Sequence, residues 1–157
     1  MNLLATGLLV AQSFFGGSPI DGISCDSMEG AVEHIHSHIA LVDRGRTVAV
    51  PANIGIPNSY GCLYWVHTHT PDGFIHIEAP VKRPFTLGQF FDIWGMNLST
   101  TQAAGLQARR GHRLSVWVNG APYAGDPNKI VLKNHETIVI QNGPPFVTPA
   151  KVNWGSL

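Results

Sequence analysis

The segment CLYWVHTHTPDGFIHIE, residues 62–78, pairs as a β-hairpin in two registers, and only one of them sorts polar from apolar side chains. Successive side chains of a strand point to opposite faces, and directly opposed residues of an antiparallel pair share a face. With Thr70-Pro71-Asp72-Gly73 as a four-residue loop, His67 faces His76, His69 faces Phe74 and Trp65 faces Glu78. His67, His69, His76 and Glu78 then converge on one side. Tyr64, Val66, Thr68, Ile75 and Ile77 form a coherent core surface on the other. A three-residue loop with a bulge at Gly73 would instead set His67 and His69 beside Ile75 and Ile77. A one-residue slip reverses every side chain, so hydrophobic consistency selects the first register.

Imidazole is the commonest biological metal ligand, and His-x-His on a strand aims two ring nitrogens the same way. Three histidines and a carboxylate on one face suit a nitrogen/oxygen site for one transition-metal ion, with zinc or copper the expected ions. Glu78 either completes the ligand set or orients a ligand histidine or a bound water. For zinc, three histidines plus water is the arrangement that brings the pKa of that water toward ~7. A histidine-rich face hydrogen-bonded to backbone carbonyls is the bland alternative, and the convergence of four donors argues against it.

A second run, EHIHSHIALV, puts His34, His36 and His38 on one face of another strand, opposite Ile35, Ile39 and Leu41. Three imidazoles spaced by two span about 13 Å at 3.3 Å per residue, too far for one ion to take all three. One or two are expected to join the site of the first cluster; a second site is the other option. His112 and His135 sit in turn-like sequence and read as surface residues.

The rest of the chain sets bounds. Lysine plus arginine and aspartate plus glutamate number 10 each, so there is no basic face to advertise a nucleic-acid partner. With 17 Gly and 11 Pro among many β-branched and aromatic residues, the composition favours short strands joined by defined turns. Residues 33–42 and 47–50 read as a hairpin across Asp43-Arg44-Gly45, and 51–61 as a Pro/Gly/Asn-rich loop. Thr86 is placed to N-cap a short helix over LGQFFDIW, with Gly95 at the left-handed C-terminal position. Asn119-Gly120 marks a type I′ hairpin within residues 113–123. Residues 129–132 and 137–141 read as two further strands, and TTQAAGLQ as a loop with a helical turn. The expected fold is therefore mainly β: an antiparallel sandwich or barrel of short hairpins with one short helix at about residues 86–94.

Residues 1–17 form an apolar N-terminal segment, either a signal remnant or an element that docks on the body or on a neighbouring copy. It is too short to span a membrane. Residues 18–157 read as a single His-rich β-domain. Cys25 and Cys62 belong to no CxxC pair; on spacing alone they read equally as a disulfide or as two buried thiols.

The runs DGISCDSMEGAVEHIHSHIAL, VPANIGIP, CLYWVHTHTPDGFIHIEAP and FTLGQFFDIWG, followed by VNGAPYAGDP and HETIVI, resemble a group of small bacterial and archaeal proteins without an assigned activity. The resemblance covers roughly residues 20–142. Many of that group are exported or membrane-anchored, so it implies an extracytoplasmic setting and a Cys25–Cys62 disulfide. The functions in play are a metal-binding extracytoplasmic domain acting as a zinc or copper enzyme, a module that handles or senses metal without catalysis, and a self-assembling extracellular protein in which metal is a stabiliser.

Overall fold

The computed structural model describes residues 17–59, 61–155 and 157; the apolar N-terminal segment, Gly17 apart, lies outside the described residues. In chain order the strands are β1 Cys25–Asp26, β2 Glu33–Asp43, β3 Arg46–Val48, β4 Leu63–Tyr64, β5 Val66–His67, β6 Phe74–Ala79, β7 Gln102–Ala103, β8 Leu106–Gln107, β9 Arg113–Val118, β10 Ala121–Tyr123 and β11 Glu136–Gly143. The α-helix α1, Leu87–Trp94, lies between β6 and β7. The fold is mainly β, as expected.

Seven strands form one open sheet in the order β10-β9-β11-β2-β6-β5, with β3 also on β2. It does not close into a barrel. Its pairings are antiparallel except that β11 runs parallel to β2, over Glu136↔Ser37 to Asn142↔Asp43. A parallel pair needs a long crossover, and the chain between β2 and β11 supplies it, helix included.

Strand alternation divides the sheet cleanly. Ile39 and Leu41 of β2, Ile75 and Ile77 of β6, Val66 of β5 and Ile138 and Ile140 of β11 are buried in one apolar cluster. Leu87, Phe90 and Phe91 of α1 and Ala103, Ala104 and Leu106 around the β7–β8 hairpin belong to the same cluster, so helix and hairpin cover this face. His34, His36, His38, His67 and His76 stand on the face turned away from it.

The helix begins and ends where its capping residues dictate. The Thr86 hydroxyl accepts from the Gln89 amide while the Gln89 side chain accepts from the Thr86 amide, a reciprocal box. Gly95 closes the last turn at φ 71°, where a Cβ would be strained. Thr86→Ala is expected to cost about 1 kcal/mol, read as a lower urea midpoint with an unchanged denaturant slope.

Three local expectations are corrected. Residues 129–132 are not a strand: Pro127–Lys129 is a 3-10 turn capped by Asp126, and beyond it Val131 makes only an isolated bridge to Thr86. TTQAAGLQ holds no helical turn but the β7–β8 hairpin, with Ala104 at φ 49°. The loop after His67 is longer than four residues. Thr68 leaves the β5–β6 ladder to exchange backbone hydrogen bonds with Asn53 and Ile54, so Phe74 pairs with His38 rather than His69.

Candidate metal centre

Two registers assemble the site. On one side of β6, Val66 and His67 pair with Ile77 and His76, the alignment that hydrophobic consistency selects. On its other side β2 sets His34 opposite Glu78 and His36 opposite His76. Opposed residues share a face, so β6 carries His76 and Glu78 between two flanking histidine pairs.

His67 is the anchor. Its side chain is completely buried, and its Nδ1 lies 2.8 Å from the Tyr64 carbonyl oxygen. A carbonyl can only accept, so Nδ1 carries the proton and Nε2 presents its lone pair. That nitrogen lies 3.2 Å from His69 Nε2 and 3.6 Å from Glu78 Oε2. Ligands at 2.0–2.1 Å around a tetrahedral zinc stand about 3.3–3.4 Å apart, so these separations already match those around an ion. His76 Nδ1 lies 3.5 Å from Glu78 Oε1. One donor atom each from His67, His69, His76 and Glu78 falls within 4.8 Å of every other.

Two atoms of this set are buried without a hydrogen-bond partner: His76 Nδ1 and Glu78 Oε2. Native interiors leave few polar atoms in that state, and a bound ion is a standard reason for one. The donors fit a cation for the same reason.

Burial governs the protonation states. Desolvation lowers the pKa of His67 to about 4, although its hydrogen bond to Tyr64 opposes this. His76 is pushed down to about 3, first by burial and then by neighbouring imidazoles led by His36. His36 is lowered too, first by burial and then by neighbouring imidazoles led by His34. Glu78 is raised by burial, with Glu29 adding to the shift. At neutral pH His67, His36 and His76 are therefore unprotonated, as metal ligation requires.

In metal-free protein His67 and His76 refuse protons that the unfolded chain accepts below pH ~6.5. The stability they contribute is full above pH 6.5 and is lost as pH falls toward their folded values of about 4 and about 3. The urea midpoint of EDTA-treated protein is expected to fall steadily from pH 6.5 to 4, and a flat profile would show that these rings meet no such burial.

His34, His36 and Glu78 form a second group of donors, with His34 Nε2 3.2 Å from Glu78 Oε1. His38 belongs to neither group. Its Nε2 lies 2.9 Å from the Asp72 carbonyl oxygen, so its ring ties β2 to the loop before β6. His135 is exposed and stacks on Trp154. Glu29 is the residue that sequence reading missed: its Oε1 lies 3.7 Å from His69 Nε2. It comes from an irregular stretch between β1 and β2 where no periodicity points to it.

Cys25 and Cys62 form a disulfide that joins β1 to the residue preceding β4. The β4 residue Tyr64 is the one whose carbonyl orients His67, so the crosslink holds the entry to β5. No helix among the described residues is long and apolar enough to cross a membrane.

Sheet and donor set together define a β-domain with His/Glu clusters close enough to bind a metal. No family model, curated protein or solved structure matches the chain.

Proposed function

We propose that this protein is a zinc- or copper-binding domain of an oxidising, extracytoplasmic compartment, with its ion held by His67, His69, His76 and Glu78 and a fifth coordination position open to solvent. The observation that carries the reading is the pair of buried, unpartnered donors, His76 Nδ1 and Glu78 Oε2, beside a His67 nitrogen whose lone pair its own backbone contact has freed.

The donor chemistry supports the choice of ion. Imidazole and carboxylate suit Zn²⁺ and Cu²⁺, both high in the affinity order of the divalent metals. Both cysteines are oxidised, so no thiolate is on hand to favour Cu⁺. A disulfide persists where the surroundings are oxidising, which supports the extracytoplasmic setting.

The gradient of exposure supports an open position. His67 and Glu78 lie at 0% and 5% side-chain exposure at the floor, while the His69 side chain is 40% exposed at the rim. A structural site surrounds its ion, whereas this one leaves a wet side. When bound, such an ion supplies Lewis acidity or an acidified water. His67, held through Tyr64, fixes the ligand geometry, and Glu29 stands close enough to His69 to orient its ring or to take a proton at the rim. These features make catalysis the favoured use of the ion over metal handling or stabilisation of an assembly.

Elemental analysis of natively purified protein, then substitution with Co²⁺ and addition of azide, tests both parts. Stoichiometric zinc or copper, with visible cobalt bands that shift on azide, is the expected outcome. Absence of metal after reloading, or bands indifferent to azide, would overturn it.

A further inference from the structure

Six donor side chains surround β6, more than one tetrahedral ion can use. Four form the set described above. The other two, His34 and His36, reach the site from β2 through the pairings His34↔Glu78 and His36↔His76. Their group meets the first at Glu78.

The carboxylate of Glu78 divides its oxygens between the two groups. Oε2 lies 3.6 Å from His67 Nε2. Oε1 lies 3.2 Å from His34 Nε2 and 3.5 Å from His76 Nδ1. The rings of His36 and His76 stand edge to face with centroids 4.6 Å apart, and those of His34 and His36 at 5.1 Å, so the second group is packed as closely as the first. A carboxylate with one oxygen toward His67 and the other toward His34 and His76 is arranged to bridge two ions, and two-metal sites hold their ions about 3.5–4 Å apart.

We propose that the domain binds two metal ions, the first through His67, His69 and one oxygen of Glu78, the second through His34, His36 and its other oxygen, with His76 between them. The proposal rests on the metal-binding reading above and deepens it. Alternation along β2 makes the second half possible: His34 and His36 share a face, and β6 presents His76 and Glu78 to the same side. His38, next on that face, is bonded to the Asp72 carbonyl and marks the end of the donor row. The positive charge of two dications exceeds that of one carboxylate, so the remaining positions would take water, hydroxide or an oxyanion. The chemical class of ligand expected at the open side is therefore an anionic oxygen donor such as a phosphate or carboxylate group.

The test is Cu²⁺ titration of metal-free protein followed by electron paramagnetic resonance, beside the His34→Ala/His36→Ala variant. At one equivalent the wild type is expected to show an isolated Cu²⁺ signal. At two equivalents that signal should collapse into a coupled pair, because ions about 4 Å apart interact magnetically. The variant, retaining the first group, should bind one equivalent and keep the isolated signal throughout. A wild type that saturates at one ion would overturn the second site while leaving the first intact. Two uncoupled ions would overturn the bridge, and no stoichiometric binding would overturn both readings together. The wild-type measurement needs no variant to fold.

Discussion

His67→Ala is expected to weaken zinc affinity about a hundredfold. Structural zinc sites contribute roughly 10–16 kcal/mol at neutral pH, so one of four ligands carries about 3 kcal/mol, equivalent to about two decades in the dissociation constant. His67 should sit at or above that figure because it needs no reorganisation. It is fully buried, and the Tyr64 carbonyl holds its tautomer and ring plane. His69→Ala is expected to cost less, since His69 is exposed at the rim. Competition titration against a chromophoric chelator measures both. A His67 variant that binds within threefold of wild type would remove that histidine from the ligand set.

Removing the disulfide carries the largest expected effect on the fold. The Cys25–Cys62 bridge spans 37 residues of sequence, and closing such a loop restricts the unfolded chain by roughly 3–4 kcal/mol. For a domain of this size that corresponds to a melting temperature about 10 °C lower in Cys25→Ser/Cys62→Ser. The consequence should extend to the site. The bridge sits beside the Cys25↔Tyr64 pairing of β1 with β4, and Tyr64 in turn supports His67. The double variant is therefore expected to lose metal affinity as well as thermal stability. Equal melting temperatures for the two proteins would show that β1 and β4 hold together without the crosslink.

Much of this site was legible because β-structure writes itself with period two. The alternation in residues 62–78 separates Tyr64, Val66, Ile75 and Ile77 from His67, His76 and Glu78, and the structure pairs Val66 with Ile77 and His67 with His76. Thr86 and Gly95 likewise announce the helix through an N-cap and a left-handed turn, and Asn119-Gly120 announces its hairpin. What escaped was non-local. Alternation along β2 shows that His34 and His36 share a face, but not that β6 lies alongside with Glu78 opposite His34. Nor does a strand pattern carry direction, so the parallel partnership of β2 with β11 could not be read. The β7–β8 turn escaped because Ala104 adopts a positive φ that alanine does not advertise. Glu29 escaped because only the folded path of an irregular segment brings it to His69.

The most direct test of the metal centre is anomalous diffraction from crystals grown with zinc or copper, recorded on both sides of the metal absorption edge. The expected result is a peak about 2.0–2.2 Å from His67 Nε2, His69 Nε2 and a carboxylate oxygen of Glu78. Crystals of metal-saturated protein with no anomalous density between those three side chains would contradict the central claim.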